Sequence, residues 1–308
     1  MQSFPTGMRR VCRHVKHSWR LYVCLFPALL YITLFSYFPM YGVQIAFRNY
    51  SAAFGISHSP WVGLRHFEQF IHSIQFGILL NNTLRISVYS LIFGFPIPVL
   101  LALMLNEVKS GPFKKFVQNA TYIPHFISTV VMCAMIILFT STSNGIINNL
   151  IVRLGGEAVD FMGKSRYFRT LYIVSDLWQH TGWNSIIYLA ALAGVDPQLY
   201  EAAEIDGASR LQRIWHINLP GILPTMVLLF ILNCGSLLSV GYEKVYLLQN
   251  SLNIDVSEVI STYVYKVGIL SVKFSYTAAI GLFNSAINFV LLLTVNAIAR
   301  RLSGSGLF

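Results

Sequence analysis

The sequence predicts an all-α integral membrane protein with six transmembrane helices, cytoplasmic N- and C-termini, and a cytoplasmic helix pair between spans 4 and 5. Hydrophobic residues make up 55% of the 308 residues and charged residues only 11%, against roughly 25% charged residues in soluble domains. Six windows of at least about 18 residues contain no Asp, Glu, Lys or Arg, and each can cross a bilayer. Lys and Arg are denser in the segments on the same side as the termini, which the positive-inside rule assigns to the cytoplasm.

We place the six spans at about residues 21–47, 79–106, 117–140, 170–194, 220–242 and 274–299. Residues 1–20 then form a basic cytoplasmic segment, and residues 21–308 form a single transmembrane domain. The uncharged stretch after residue 20 exceeds the roughly 7–15 residues of a signal-peptide core. It is therefore expected to remain as the first span, with its prolines packed against a bundle that satisfies the freed carbonyls.

Prolines also mark the second and third spans. Pro96 and Pro98 follow Gly94 in span 2 and remove two backbone donors within one turn, which predicts a kink or a break. Arg85 lies near the outer end of this span, where a long side chain can reach the interface. Pro124 is expected to kink span 3.

The fourth and fifth spans contain polar side chains at a depth where such groups are costly unless they face protein or a water-filled cavity. Span 4 is therefore expected to be an interior helix. Residues 241–266 follow on the outer side, and their Tyr and apolar residues suggest a segment lying partly on the membrane surface. Interhelical packing is the alternative role of the polar residues. The candidate pathway residues are Trp178, His180, Trp183, Asn184, Tyr188, Asn233, Ser236, Asn284 and Asn288.

A polar interruption, residues 196–224, separates spans 4 and 5 and has the signals of two short helices. Asp196 is suited to the N-cap before Pro197, and Gly207 supplies a left-handed residue that ends this first helix after Asp206. Ser209 and Gln212 have the spacing of a capping box for the second helix. That helix is expected to end before the Leu219–Pro220 pair, because a residue that precedes proline avoids the α region.

Catalytic and metal-binding motifs are missing from the sequence. It has no HExxH, phosphate-loop or GxSxG motif, and its four cysteines are dispersed without the spacing of a metal site. The net charge of +10 fits anionic lipid head groups, and no basic surface interleaved with aromatic residues predicts nucleic-acid binding. We therefore expect neither catalysis nor a bound metal in this chain.

The helix pair also carries a family motif. Its residues match the spacing EAAxxDGAxxxxxFxxIxLPxxxP, with Ile214 at the Phe position and Trp215 beside it. This resembles the EAA motif of permease subunits of binding-protein-dependent ABC importers. The resemblance implies that the pair is a coupling helix region that contacts an ATPase. The implied coupling residues are Glu201, Ala202, Ala203, Glu204, Asp206, Gly207, Ala208, Ile217, Leu219 and Pro220.

Residues 27–40 and 241–301 look like the carbohydrate-import branch of this family, and in particular its polysaccharide and complex-oligosaccharide permeases. The resemblance implies a second homologous permease subunit, two ATPase subunits that bind ATP and Mg²⁺, and an extracytoplasmic solute-binding protein. It also implies alternating access in a bacterial cytoplasmic membrane, with no cofactor bound by this chain. The alternatives are an importer permease for a peptide or a sugar phosphate, and a polytopic enzyme that transfers glycosyl or lipid groups.

Overall fold

The computed structural model describes residues 18–304, 306 and 307, so residues 1–17 of the predicted basic segment lie outside the described residues. The described chain is helical and contains no β-strand, although an isolated bridge pairs Arg48 with Trp61. The α-helices are α1 (Trp19–Ile32), α2 (Gly55–His58), α3 (Arg65–Ile71), α4 (Ile74–Gly94), α5 (Pro96–Glu107), α6 (Pro112–Tyr122), α7 (Thr129–Phe139), α8 (Ile146–Arg153), α9 (Ser165–Leu192), α10 (Pro197–Ile205), α11 (Arg210–Arg213), α12 (Leu219–Gly235), α13 (Tyr242–Leu248), α14 (Ile254–Ser257), α15 (Ile260–Val264) and α16 (Phe274–Ser303). Tighter 3₁₀ turns cover Phe38–Phe47 and Ile123–Phe126, and wider π turns cover Thr33–Tyr37, Ile214–Asn218 and Tyr265–Leu270.

Four helical segments of the described chain are long and apolar enough to cross a membrane, and a bent helix pair makes a fifth candidate. The four are Trp19–Phe47, Ile74–Glu107, Arg210–Gly235 and Phe274–Arg301. The chain is therefore a multi-pass membrane protein. Helix α9 has 28 residues, about 42 Å of helix, which is long enough to cross a bilayer. Because of its polar residues it is not among the four apolar segments. The count of six spans stays a prediction that rests on α9.

The predicted third span is broken more sharply than a proline kink. The pair Pro112–Phe126 and Thr129–Phe139 bends by 102°, because the 3₁₀ turn at Pro124 ends one arm and the Ser128 side chain caps the next. Each α-helical arm has 11 residues, about 17 Å, which is too short to cross a bilayer alone. The continuous span 117–140 is replaced by this bent pair.

The predicted helix end before Leu219–Pro220 is wrong. Helices α11 and α12 form one continuous segment through the π turn Ile214–Asn218, and Leu219 keeps helical angles of φ −65° and ψ −48°. A π turn widens the helix and pairs the Leu219 N–H with the Ile214 carbonyl. The helix thereby continues past a proline that lacks an N–H, a role for which π-bulges are suited. At the other end α12 stops at Gly235, seven residues before the predicted limit of span 5.

Two other segments pack differently from expectation. No residue of α1 is buried, and only the following 3₁₀ turn, Phe38–Phe47, lies against α16, so Pro27 is not packed against a bundle within the described chain. Conversely, part of the outer segment 241–266 is folded into the protein, while Tyr242, Leu252 and Ile254 stay exposed. Val245, Val259 and Ile260 are almost fully buried, and they join this segment to the cores around α9 and α4.

Helix α9 is the central element, and this confirms the interior position predicted for span 4. It packs against α4, α5, α6 and α12. One core cluster joins Tyr188 and Leu192 of α9 to Ala102 and Ile222. A second joins Tyr172 of α9 to α7 and α13. These contacts cover much of α9, while Trp183 and Asn184 on its polar face stay exposed.

Candidate functional site

A cavity of 480 Å³ lies beside the polar face of α9. Its walls come from α4, α5, α9, α12 and the non-helical segment that follows α12. The polar and aromatic lining residues are Ser87, Ser90, Phe95, Tyr172, Asp176, Trp183, Asn184, Tyr188, Asn233, Ser236 and Ser239. Hydroxyl, amide and carboxylate groups interleaved with aromatic rings are the groups that would accept a polar solute with apolar faces.

Helical periodicity decides which residues of α9 reach this cavity. Tyr172, Asp176 and Trp183 line it, and their spacings of four and seven residues keep them on one face of the helix. Tyr188 lines it from a position farther round the helix. Trp178 lies two residues after Asp176 and therefore points away from that face. It is half exposed and does not line the cavity.

The opposite wall is the face of α4 and α5 that carries the glycine–proline sequence. Ser87, Ser90, Gly94 and Pro98 line the cavity at spacings of three or four residues. The helix assignment is interrupted only at Phe95, which retains helical angles of φ −83° and ψ −52°. The predicted break is therefore a local interruption of a continuing span, and it lies at the cavity wall.

The third wall is irregular backbone held in place by α16. Asn288 accepts a hydrogen bond from the Leu238 N–H at 3.0 Å and donates to Ser239 Oγ at 2.9 Å. Asn284 Nδ2 approaches the Leu238 carbonyl at 3.4 Å. Irregular backbone at membrane depth is tolerated where it is buried or lines a cavity. The two asparagines form hydrogen bonds with backbone and side-chain groups of this segment, and they do not line the cavity themselves.

Asp176 is the one charged residue in the cavity lining of the described chain, and it is held by two neighbours. Lys244 Nζ donates to Asp176 Oδ1 at 3.2 Å, and His180 Nδ1 lies 3.3 Å from the same oxygen. Lys244 is 6% exposed and lies over the ring of Tyr172. Because both contacts use Oδ1, the second carboxylate oxygen is available to accept hydrogen bonds from a solute.

An aromatic platform lies at the same face of α9. The rings of Trp183 and His125 are stacked with centroids 4.4 Å apart and planes 4° from parallel. Phe126 meets the Trp183 ring edge-on. These contacts fix the indole while 43% of Trp183 stays exposed, so its orientation toward the cavity is set before any solute binds.

Five of the nine candidate pathway residues line the cavity: Trp183, Asn184, Tyr188, Asn233 and Ser236. Of the other four, His180 holds Asp176, the two asparagines of α16 hold the third wall, and Trp178 faces elsewhere. Sequence reasoning missed Ser87, Ser90, Phe95, Tyr172, Asp176 and Ser239 as lining residues. Helical spacing back from Trp183 would have indicated Asp176 and Tyr172. The Lys244–Asp176 pair joins residues 68 positions apart, and no local signal predicts it.

The helix pair of residues 196–224 has the local geometry that its caps predict. The Asp196 carboxylate accepts from the Gln198 N–H, Gly207 has φ +73°, and Ser209 and Gln212 form a reciprocal capping box. The motif residues Glu201, Ala202, Glu204 and Asp206 are exposed. Ile205 is 87% exposed and Leu211 is 64% exposed, which leaves apolar side chains beside acidic ones on one protruding surface.

A partly buried polar cluster connects this helix pair to the end of α5 and the start of α12. We call its residues Tyr200, Asn218, Glu107 and Arg213 the hinge cluster. Tyr200 donates its hydroxyl to Asn218 Oδ1 at 2.6 Å, and Asn218 donates to Glu107 Oε1 at 3.2 Å. Arg213 pairs with Glu107 Oε2 at 3.4 Å. Burial raises the pKa of Tyr200, so the phenol stays protonated and donates. Asn218 is fully buried, and none of the four was among the candidate coupling residues.

The remaining motif residues lie at the start of α12. Gly221 approaches the Val195 side chain so closely that a Cβ at this position would lie 2.7 Å from Val195 Cγ2. Ile217 and Leu219 are half-buried, and Leu219 packs against the core of α5 and α9. The motif therefore begins on an exposed helix pair and ends where Leu219 packs against the core between α5, α9 and α12.

Comparison with known proteins gives a consistent set of relatives. A family described as "binding-protein-dependent transport system inner membrane component" matches residues 70–304. The polygalacturonan/rhamnogalacturonan transport system permease protein YteP of Bacillus subtilis (strain 168) is 45% identical, over 94% of this chain and 90% of that protein. The arabinooligosaccharides transport system permease protein AraP of the same organism is 28% identical, over 92% of this chain and 88% of AraP.

Solved structures show the same arrangement of helices. One is a chain of a bacterial alginate ABC transporter in complex with an alginate-pentasaccharide-bound periplasmic protein. This chain superposes on it with a TM-score of 0.88 and 39% sequence identity, covering 97% of this chain and 100% of the other. A second chain, from a bacterial ABC transporter that imports the acidic polysaccharide alginate, gives the same TM-score over 96% and 99% of the two chains.

Proposed function

Because this chain belongs to the family of binding-protein-dependent transport system inner membrane components, we propose that it is the permease subunit of an ATP-driven importer of oligosaccharides or polysaccharide fragments. The cavity beside α9 supports the choice of solute. Its hydroxyl, amide and carboxylate groups suit sugar hydroxyls, and its aromatic rings suit the apolar faces of pyranoses. The named substrates of the relatives and of the structural neighbours are saccharides as well.

Transport in this proposal is alternating access driven by subunits that this chain contacts. The exposed motif surface between residues 196 and 224 would seat in a groove of an ATPase, and the hinge cluster would pass its movement to α5 and α12. ATP and Mg²⁺ would bind the two ATPases, and a second homologous permease would complete the pathway. A solute-binding protein would deliver saccharide at the opposite face of a bacterial cytoplasmic membrane, with both termini of this chain in the cytoplasm.

Reconstitution of the complete complex in liposomes tests the proposal. The expected result is ATP-dependent accumulation of an oligosaccharide that the solute-binding protein delivers, with none when ATP is replaced by a non-hydrolysable analogue. Uptake of peptides or sugar phosphates in place of saccharides would favour the other importer class. Formation of a glycosylated or lipid-linked product by the purified chain without ATP would overturn the transporter assignment.

Two tryptophans of α9 provide a matched test of the cavity. Trp183→Leu is expected to raise the KM for oligosaccharide uptake about 2- to 10-fold, if a ring stacked on a sugar contributes about as much as an aromatic pair, 0.5–1.5 kcal/mol. Trp178→Leu on the same helix should leave KM unchanged, since Trp178 lies outside the cavity. Asn233→Leu should also raise KM. This variant leaves the stacking of His125 on Trp183 intact, so its effect comes from the lost amide alone. Equal KM values for all three variants and wild type would assign the cavity residues to helix packing.

Gly207 tests the coupling surface. Gly207→Val is expected to lower uptake per ATP hydrolysed about tenfold, because a left-handed residue with a side chain costs about 1–2 kcal/mol and would reorient α10 against α11. A Cβ at this position meets no atom within 4 Å, so the effect comes from the backbone and not from a clash. Gly77→Ala, in an equally open helical position, is the control. Normal coupling in Gly207→Val would contradict the proposed role of this turn.

A further inference from the structure

The charged residue of the cavity lining, Asp176, has one carboxylate oxygen without a partner in the described chain. Lys244 Nζ and His180 Nδ1 both contact Oδ1, and no described residue donates a hydrogen bond to Oδ2. The Asp176 side chain is 37% exposed, so its carboxylate is accessible from the cavity that it lines. An ionised carboxylate accepts hydrogen bonds and donates none. The cavity therefore presents one charged acceptor to a solute.

Lys244 reaches this carboxylate from a helix that is fixed in the core. Val245 and Leu248 of α13 are almost fully buried and pack in the core around α9. The Val240 carbonyl, just before α13, accepts a hydrogen bond from the Ser261 hydroxyl at 2.8 Å. Lys244 itself is 6% exposed and is not part of the cavity lining. Its ammonium thus holds the carboxylate from behind and does not contact the solute.

The ion pair balances the charge of the cavity wall. A lone carboxylate in a cavity would attract cations, and the attraction between two unit charges grows as water is excluded. Lys244 Nζ lies 3.2 Å from Asp176 Oδ1, so the protein already supplies the positive charge. A cationic solute would meet this ammonium as well as the carboxylate, whereas a hydroxyl group needs only an acceptor.

We propose that Asp176 determines which solutes the cavity accepts: its second oxygen accepts a hydrogen bond from a hydroxyl of a sugar ring without a positive charge, and Lys244 positions the carboxylate and balances its charge. This inference rests on the proposed import of saccharides. Hydrogen bonds to an ionised acceptor are stronger than those between neutral groups. Tyr172, one turn before Asp176, also lines the cavity, so a bound ring would find an aromatic side chain beside the acceptor.

A purely structural ion pair is the alternative, in which Lys244 and Asp176 only attach α13 to α9. Both partners of such a pair are expected to be buried, because water weakens their attraction. Here the Lys244 side chain is 7% exposed and the Asp176 side chain 37% exposed. The asymmetry places the carboxylate at the cavity and the ammonium behind it, which favours a role in binding solute.

Two matched trisaccharides test the charge balance. Cellotriose and the equivalent trisaccharide of glucosamine have the same rings and linkages, but glucosamine carries an ammonium in place of one hydroxyl on each ring. Their dissociation constants are measured by equilibrium dialysis with the purified complete complex, at a pH that keeps the amines protonated. Wild type is expected to bind cellotriose at least about tenfold more tightly than the ammonium sugar.

Lys244→Met is expected to shift the ratio of the two dissociation constants at least about tenfold toward the ammonium sugar, because the carboxylate loses its built-in cation. It is combined with His180→Gln so that an imidazolium does not replace the lost ammonium, and His180→Gln alone is the reference. Lys266→Met is the matched control. It removes the cation of another ion pair of the same outer segment, with Glu258 at 2.8 Å, and Lys266 does not line the cavity. The ratio should not change in this control.

A double variant keeps the test independent of an unpaired buried charge. Asp176→Asn with Lys244→Met removes both charges of the pair and leaves an amide oxygen as acceptor. Its dissociation constant for cellotriose should rise about tenfold, the difference between hydrogen bonds to an ionised and to a neutral acceptor. The Tm of the purified complex shows that this variant remains folded.

The outcomes distinguish this inference from the proposed function. An unchanged ratio after the loss of Lys244, or wild-type affinity for cellotriose in the double variant, would show that the pair only attaches α13 to α9. Equal affinity of wild type for the two trisaccharides, or no binding of cellotriose, would also overturn the inference. ATP-dependent uptake of an oligosaccharide by the same complex would still support the proposed function, and the absence of all saccharide uptake would overturn that function itself.

Discussion

Gly182→Ala is expected to prevent the central helix from packing and to remove most of the folded protein. A Cβ added at Gly182 would lie 2.0 Å from the Thr121 carbonyl oxygen and 2.4 Å from its carbon. Both atoms belong to the backbone of α6, so no side-chain rotation relieves the overlap. Helices α6 and α9 would have to separate, at a cost of about 3 kcal/mol or more. The measurement is the Tm of the detergent-solubilised complex, together with the yield of protein in the membrane.

A glycine in open space provides the control for this prediction. Gly281→Ala places the same methyl group in the middle of α16, where nothing lies within 4 Å. It should leave Tm unchanged or raise it slightly, because alanine loses less conformational entropy than glycine in a helix. If Gly182→Ala had the same Tm as Gly281→Ala, the close approach of α6 and α9 would not exist in the membrane.

Local signals predict the helix pair between spans 4 and 5 well. Asp196, Gly207, Ser209 and Gln212 act through hydrogen bonds or backbone angles within a few residues of themselves. Such effects can be read from spacing alone because the partner is always a near neighbour in the chain. The failure at Pro220 has the opposite cause, since the π turn that carries the helix through the proline is stabilised by packing between distant segments.

The candidate cavity could be predicted only in part. The polar composition of α9 indicates an enclosed face, and five of the selected residues do line the cavity. Selecting residues by polar or aromatic type also included Trp178, which lies two residues from Asp176 and off its face, and it left out Asp176 itself. The roles of Lys244 and Asn288 depend on contacts across 68 and 50 residues. Such contacts follow from how the spans pack, and a single sequence contains no periodic signal of them.

Asn218→Leu is expected to abolish coupled uptake while ATP hydrolysis continues. The fully buried Asn218 amide is the only group of the hinge cluster that bonds to both Tyr200 on α10 and Glu107 at the end of α5. Leucine would leave the Tyr200 hydroxyl without its acceptor and one Glu107 oxygen without its donor, at a cost of about 1–3 kcal/mol per group. Helix α10 would then move without α5, although α11 stays continuous with α12. The measurement is oligosaccharide uptake per ATP hydrolysed in liposomes.

A second buried asparagine provides a control that distinguishes a general loss of stability from a loss of coupling. Asn148 is 1% exposed and donates to the carbonyls of Thr140, Ser141 and Val159, far along the chain from the helix pair. Asn148→Leu should lower Tm about as much as Asn218→Leu but keep uptake per ATP near wild type. Tyr200→Phe removes only the hydroxyl of the hinge cluster and should reproduce a weaker form of the uncoupling. If Asn218→Leu coupled normally, the hydrogen bonds that link α10 to α5 would be dispensable. The movement of the ATPase would then reach the spans through the start of α12.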